Sequence, residues 1–443
     1  MNSVRVRFPP SPTGFCHVGT ARMAIVNYLF ARKNNGTIIF RSEDTDKERS
    51  TREFEDDIKD SLTWLGLSWD EFHRQSERID VYRAEIEKLI DEDKAYVSDE
   101  ESKKDPGTMV SVIRLRNSGK TITFTDVIRG DISFDTTELK DFVIARSKDD
   151  PLYHLAVVVD DAAMGITHVI RGEDHISNTP RQILIQEALG AKRPMYAHYP
   201  LHLSLDRAKL SKRKGDVAVK NYREKGYLPQ ALLNYLATLG WTAPSGREVL
   251  SLDEMVQEFE LSDLHKSGAV FDVEKLRWFN REYMLKLSDS AFASEALSWL
   301  ENSLTHLNWN ESIAKKIIPL VRERISVWSD IHEQSMNGEY DYFFVQPSVE
   351  AHLIPMKKIS AAKTAEHLRD IKTLLEALNV FDVSSIKDAL WPYATKEGRG
   401  AVLWPFRYSL TGKEQSPDPF LVASILGKDE TVRRVSKAIA SLS

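Results

Sequence analysis

Val4-Arg5-Val6-Arg7-Phe8-Pro9-Pro10-Ser11-Pro12-Thr13-Gly14-Phe15-Cys16-His17-Val18-Gly19-Thr20 is the stretch that decides how the chain is read. Val4, Val6 and Phe8 alternate with Arg5 and Arg7, the period of a strand, and Pro9-Pro10 ends it because proline has no N–H to give a ladder. Ser11-Pro12-Thr13-Gly14 is turn chemistry. Beyond it Ala21, Ile25, Tyr28, Leu29 and Arg32 recur at helical spacing, which predicts a helix from near Ala21 to the stop Asn34-Asn35-Gly36. Thr37-Ile38-Ile39-Phe40-Arg41 reads as a second strand. Strand, turn, helix and strand within roughly forty residues open a parallel βαβ sheet, whose ligands sit at the carboxyl ends of the strands. Glycines let the backbone approach a ligand, and His17 and Thr20 fall at the helix start, where free N–H groups and the helix dipole favour a polyphosphate. The turn is neither a Walker loop nor a dinucleotide Gly-x-Gly-x-x-Gly, and on its own it also reads as a capped junction carrying a histidine.

From Asp91 to Asp150 the chain changes character, with a charged stretch and then short alternating strands around Val112, Ile122, Ile132 and Phe142, the pattern of an inserted antiparallel module. Leu155-Ala156-Val157-Val158-Val159 and Thr167-His168-Val169-Ile170 read as parallel-type strands resuming the sheet, followed by a helix from Thr179 to Leu189. After a basic loop from Lys209 to Gly215 the pattern is largely helical, with Pro319, Pro355 and Pro392 among the helical periods. An α/β half followed by an α-helical half is the expected architecture.

Across 443 residues, 42% apolar and 28% charged side chains exclude wholesale disorder. Sixty basic against sixty-six acidic residues leave a net charge of −6, which excludes a wholly basic surface but not a local nucleic-acid site. The single cysteine, Cys16, excludes a disulfide within the chain and any zinc site needing two thiolates, and fits a reducing compartment. Met1 to Arg7 enters a strand pattern with no apolar signal core, and no stretch reaches the ~18 apolar residues of a membrane span. A soluble cytoplasmic protein is expected.

Three more clusters carry chemistry. Arg41-Ser42-Glu43-Asp44-Thr45-Asp46 puts acids at the carboxyl end of a predicted strand, where Glu43 can hold an ammonium group; the same acids can cap a helix starting around Arg49. Arg171 follows the strand at Val169 and Ile170, placing a guanidinium suited to a carboxylate, or else pairing with Glu173 or Asp174 to hold a turn. Tyr153 and His154 could line the same pocket. Lys209-Leu210-Ser211-Lys212-Arg213-Lys214-Gly215 is either a cationic loop over phosphates or a solvated charge run.

Taken in order, these motifs resemble the class I aminoacyl-tRNA synthetases, specifically the bacterial-type glutamyl-tRNA synthetases. His17-Val18-Gly19-Thr20 is similar to the HIGH signature and Lys209 to Arg213 to the KMSKS loop; the segments 7–14, 41–46, 164–182 and 209–216 match almost letter for letter, and 271–284 and 398–428 extend the likeness. The resemblance implies a Rossmann-type catalytic domain in two halves, residues 1–90 and 151–205. It further implies an acceptor-stem module inserted at 91–150, the KMSKS loop and stem-contact domain at 206–290, and an all-α anticodon-binding domain at 291–443. It implies that glutamate attacks the α-phosphate of ATP to give glutamyl-adenylate and pyrophosphate, and that the terminal ribose of tRNA(Glu) then takes the glutamyl group. Carried over by position, Arg7, Pro9, Ser11, Glu43, Tyr153 and Arg171 contact glutamate. Ser11, Thr13, Gly14, His17, Gly19, Thr20, Lys209, Ser211, Lys212 and Arg213 contact ATP, with His17, Lys209 and Lys212 as the catalytic set. Mg²⁺ accompanies the phosphates.

Relatives that carry a zinc-binding cysteine cluster do so in the inserted module; the only cysteine here is Cys16, so no zinc and no protein-held metal are expected. Val157 is given no substrate contact. Glutaminyl-tRNA synthetases tend to read Pro-Pro-Glu-Pro-Asn-Gly where this chain has Pro9-Pro10-Ser11-Pro12-Thr13-Gly14, and their anticodon region is largely β-barrel. Two alternatives stay open: an enzyme that also charges tRNA(Gln), and a catalytically inactive tRNA-binding paralogue. A monomer without membrane contact is expected. With so slight a net charge the tRNA contacts must be local and cationic, so raising salt is expected to weaken tRNA binding far more than glutamate binding, read by titrating each at increasing ionic strength.

Overall fold

Pro9-Pro10 closes β1 (Arg5–Phe8) as its alternation implies, and the chain turns into α1 (Val18–Lys33). The helix begins earlier than apolar spacing predicts because His17 is its N-cap, its Nδ1 accepting the Gly19 N–H at 3.0 Å. The computed structural model describes residues 3–102, 105–203 and 217–442, so the expected ATP contacts Lys209, Ser211, Lys212 and Arg213 lie outside the described residues. β2 (Thr37–Ser42), α2 (Arg52–Trp64) and β3 (Glu71–Arg74) complete a parallel sheet in the order β1-β2-β3. Gly36 makes the β1–β2 approach feasible: a Cβ there would stand 2.6 Å from the Val4 carbonyl oxygen, which accepts the Thr37 N–H at 2.8 Å. The α2 cap is the Thr51 hydroxyl, accepting the Phe54 N–H at 3.2 Å, so the acids after β2 do not serve as its N-cap.

After α3 (Ile79–Asp91) come β4 (Ala95–Glu101), β5 (Met109–Leu115), β6 (Thr121–Asp126), β7 (Gly130–Asp135), β8 (Phe142–Ser147) and the short β9 (Asp150–Pro151). β4, β5, β8 and β9 form an antiparallel sheet. Next are α4 (Tyr153–Ala163), β10 (His168–Gly172), α5 (Thr179–Leu189) and β11 (Met195–Tyr199). β10 pairs in parallel with β11, and the Thr167 N–H donates to the Arg5 carbonyl at 3.0 Å, setting β10 beside β1. The β6–β7 hairpin joins this sheet through the parallel pairing of Asp126 with Tyr196. The expected insertion therefore contributes strands to the catalytic sheet as well as forming a sheet of its own.

One element is corrected. Residues 155–159 are not a strand but the middle of α4, buried throughout. A short apolar run looks alike as a buried strand or a buried helix. What separates them is Asp160 and Asp161, which approach Arg41 at 3.8 and 2.7 Å. Consecutive strand residues would point to opposite faces, whereas on a helix both can turn toward one partner.

β12 (His202–Leu203), α6 (Val219–Glu224), α7 (Pro229–Thr238), α8 (Leu252–Glu258), β13 (Ala269–Val270) and α9 (Val273–Leu285) follow, with a Ser251/Glu254 capping box on α8. The remaining elements among the described residues are helices: α10 (Asp289–Ser303), α11 (Glu311–Arg324), α12 (Ser329–Met336), α13 (Asp341–Phe344), α14 (Ala361–Glu376), α15 (Val383–Glu397), α16 (Arg399–Thr411), α17 (Pro419–Leu426) and α18 (Lys428–Ser441). Pro319 and Pro392 lie inside α11 and α15. The chain divides into two units, Met1–Tyr283 and Met284–Ser443; Leu368, Ile371, Leu390, Phe406 and Val435 are core residues of the second. Among the described residues no helix is long and apolar enough to cross a membrane.

Candidate active site

The turn between β1 and α1 is held from two sides. The Cys16 N–H donates to Asp57 Oδ2 of α2 at 2.7 Å, while the Val18 N–H donates to the Val217 carbonyl and the Val219 N–H to the Cys16 carbonyl, both at 2.8 Å. Lys220 Nζ sits 3.1 Å from the centroid of the Phe15 ring. The first two N–H groups of α1 are thus used inside the protein, one on Val217 and one on the His17 ring; the Thr20 N–H finds no backbone acceptor among the described residues. Because His17 Nδ1 accepts from Gly19, the proton of the neutral ring is on Nε2, as a donor. A Cβ on Gly19 would stand 3.2 Å from His17 Nδ1, so glycine permits this close stack.

A cleft of about 330 Å³ opens at the carboxyl ends of β1, β10 and β11. Pro9, Pro10, Ser11, His17, Gly19 and Thr20 form one wall, Arg171, Gly172, Asp174 and His175 another, and Tyr199, Pro200 and Leu201 a third. Arg22, fully buried, braces that third wall: it donates to the Pro200 carbonyl at 2.7 Å and to the Leu239 carbonyl, and lies 5.0 Å over the Tyr199 ring.

Beside this cleft is a buried charge network. Arg7 Nε donates to Asp161 Oδ1 at 3.2 Å, Arg41 donates to the same oxygen at 2.7 Å, and Arg41 also donates to Glu43 Oε1 at 3.0 Å. Burial disfavours an ionised Asp161, but Arg7 and Arg41 outweigh it and hold its carboxyl below the usual range. Burial pushes the Glu43 carboxyl up despite Arg41 and Arg7. Arg7 Nη1 is buried and has no partner among the described residues. Arg171 differs: its donors go to His198 Nε2 at 3.1 Å, Gln182 Oε1 at 2.7 Å, Thr179 Oγ1 at 2.8 Å and the His175 carbonyl at 3.5 Å, rather than to Glu173 or Asp174. The Tyr153 hydroxyl meets His175 Nδ1 at 3.3 Å, and burial, then Glu43, push it up to about 12 against the pull of Arg171 and Arg7.

Of the expected residues, Pro9, Ser11, His17, Gly19, Thr20 and Arg171 meet at the cleft. Arg7, Glu43 and Tyr153 share the charge environment of Arg171. Thr13 and Gly14 are not walls of the cleft; Thr13 donates its N–H to the Ser11 carbonyl at 2.8 Å within the turn.

Residues 3–105 and 98–278 match the family described as "tRNA synthetases class I (E and Q), catalytic domain", and residues 291–439 match "Anticodon binding domain". A glutamate–tRNA ligase from Aquifex aeolicus is 39% identical over 100% of both chains, and one from Carboxydothermus hydrogenoformans is 38% identical over 98% of this chain and 99% of its own. The crystal structure of a glutamate tRNA ligase from Elizabethkingia meningosepticum in complex with its amino acid has a TM-score of 0.87 to this chain at 32% identity, covering 100% of both. The chain belongs to the bacterial-type glutamate–tRNA ligases, class I aminoacyl-tRNA synthetases. The Rossmann-like catalytic domain and the all-α anticodon-binding region of a class I ligase account for both units of the fold.

Asp160 and Asp161, which hold the arginines, lie outside the sequence motifs, as do Arg22 and His198. The available signal was two adjacent acids ending an apolar run, which a buried helix tolerates only with cationic partners. His154 and His175 are also informative. Burial, with Arg181 and Arg171 for His154 and with Arg171 for His175, lowers each ring from 6.5 to about 4. In that window the unfolded chain takes up protons that the folded chain refuses, so acid favours unfolding. Stability is expected to be full above about 6.5 and to fall toward about 4, and His175→Asn should flatten the fall, as read by thermal unfolding across that range.

Proposed function

We propose that this cleft performs the reaction of the family, the ATP-dependent joining of glutamate to tRNA(Glu), with glutamate at the Arg7 end and ATP at the His17 end. The chain is an enzyme, a class I ligase. The observation that carries the placement is Arg7, held at Nε by Asp161 with a buried Nη1 that has no partner among the described residues. A guanidinium fixed on one side and unfilled on the other suits a carboxylate, which the side chain of glutamate has and that of glutamine lacks. Glu43, clamped by Arg41, takes the α-ammonium; Tyr153 and Arg171 complete the pocket, with Pro9 and Ser11 lining it.

At the other end the phosphates meet His17 Nε2, Thr20 and the amino end of α1, on a turn shaped by Ser11, Thr13, Gly14 and Gly19. Lys209, Ser211, Lys212 and Arg213 supply the cationic loop. An oxygen of the glutamate α-carboxylate attacks the α-phosphorus, pyrophosphate leaves, and the terminal ribose hydroxyl of the tRNA then displaces AMP from the activated carbonyl. No side chain is the nucleophile; alignment and charge stabilisation supply the rate, Lys209 and Lys212 facing the charge that builds on the departing phosphates. Mg²⁺ belongs on the phosphates of ATP; among the described residues no three His, Cys, Asp or Glu side chains converge as a metal-binding group. Segment 91–150 is assigned to the acceptor stem and the second unit to the anticodon, following the family match over 291–439.

Purified protein with Mg-ATP, glutamate and tRNA(Glu) is expected to exchange labelled pyrophosphate into ATP; tRNA binding without exchange would identify an inactive paralogue. Charging tRNA(Glu) and tRNA(Gln) separately tells a discriminating enzyme from one serving both. Arg7→Ala should raise the glutamate KM roughly 10–100-fold, the scale of one charge-assisted hydrogen bond, with little change in the KM for ATP. Lys212→Ala should slow adenylate formation far more than it weakens glutamate binding; equal losses would remove Lys212 from the transition state.

A further inference from the structure

Arg171 ends a chain of three buried side chains drawn from three strands. Its Nε donates to His198 Nε2 at 3.1 Å, and on the other side of that ring Nδ1 donates to Asp126 Oδ2 at 2.6 Å. The three residues are 4, 0 and 1% exposed. Register sets them side by side: Arg171 of β10 is the Cα partner of His198 of β11, and β6 meets β11 where Asp126 pairs with Tyr196.

The state of the ring is dictated from both ends. A guanidinium offers only hydrogens, and an ionised carboxylate offers only lone pairs. The proton is therefore on Nδ1 and the lone pair on Nε2. Asp126 is held ionised, for although burial opposes its charge, its oxygens also accept the N–H groups of His198 at 3.0 Å, Ile128 at 3.0 Å and Arg129 at 2.9 Å, and its carboxyl stays below the usual range. Burial, with Arg171 adding to it against Asp126, keeps the ring itself neutral.

We infer that His198 is a positioning residue for glutamate recognition, its tautomer set by Asp126 so that Nε2 fixes the plane of the Arg171 guanidinium at the cleft wall. The inference rests on the assignment of Arg171 to glutamate above. It gives segment 91–150 a second task, because the carboxylate that sets the tautomer stands at the end of β6, where the hairpin meets the catalytic sheet. Gln182 and Thr179 hold the two Nη atoms of Arg171, and His198 alone among the described residues holds Nε.

The side-chain amides of asparagine and glutamine separate the two ends of the ring. In His198→Asn the amide nitrogen reaches the place of Nδ1 and keeps a donor for Asp126 but offers nothing at Nε2; in His198→Gln the amide oxygen reaches the place of Nε2 and keeps the acceptor for Arg171. Pyrophosphate exchange should give His198→Asn a glutamate KM raised roughly tenfold or more, the loss of one charge-assisted hydrogen bond, with the KM for ATP little changed. His198→Gln should recover most of that loss. Asp126→Asn, whose amide can donate to Nδ1 and drive the proton to Nε2 against the Arg171 N–H, should raise the glutamate KM as His198→Asn does, and it stands in should His198→Asn fail to fold. Equal losses in His198→Asn and His198→Gln, or none in either, would overturn the positioning role while leaving the Arg171 assignment intact, provided Arg171→Lys raises the glutamate KM. An unchanged glutamate KM in Arg171→Lys would overturn both.

Discussion

Arg41 is completely buried, and the catalytic unit is arranged around its charge. A guanidinium cannot shed its proton in a protein interior, so burying it requires carboxylates at short range. Asp161 at 2.7 Å and Glu43 at 3.0 Å meet that demand, with Asp160 at 3.8 Å. Asp161 is shared with Arg7, so the ion cluster ties β1, β2 and α4 together at the strand ends that open on the cleft. Removing one partner from such a cluster leaves an uncompensated buried charge, typically about 3–5 kcal/mol, and a one-residue slip of either strand would turn its arginine to the opposite face. The register that aligns Arg7 with Ile39 and Phe8 with Phe40 is therefore enforced by charge as well as by the apolar side chains around it.

The two ends of the cleft are built by different means. At the His17 end backbone geometry dominates: a proline-stopped strand, a helix start capped by a histidine ring, and a glycine that lets that ring lie against the chain. At the Arg171 end side chains dominate, and two arginines differ in how they are held. Arg7 is anchored at Nε while its Nη1 has no partner among the described residues, whereas Arg171 is hydrogen-bonded by its surroundings at all three nitrogens and presents charge from a fixed plane. Burial first, and the positive charge of the neighbouring arginines after it, draw His154, His175 and His198 all below their ordinary range.

Segment 91–150 is split between two sheets. Its β4-β5-β8-β9 sheet is antiparallel and distinct, yet its β6–β7 hairpin continues the parallel pair β10–β11. Phe124 of β6 packs on Tyr196 of β11, with ring centroids 5.4 Å apart, and Asp126 accepts from His198. Segment 91–150 thereby reaches Arg171 at the cleft wall through one histidine.

The sequence by itself determined the opening βαβ unit, the antiparallel character of most of 91–150, the helical second half and the family, because local period, turn chemistry and motif spacing are properties of neighbouring residues. It also placed Arg7, Glu43 and Arg171 at strand ends, where a parallel sheet opens its crevice, and His17 at a helix start. Only the tertiary structure decided that residues 155–159 are helical, that Asp161 serves Arg7 and Arg41, that Arg171 is held by His198 rather than by the acids beside it, and that β6 joins the catalytic sheet. The physical reason is separation along the chain. Asp161 is 154 residues from Arg7 and 120 from Arg41, and Asp126 is 72 from His198, so each buried charge finds its partner through the packing of whole elements, which no local pattern encodes.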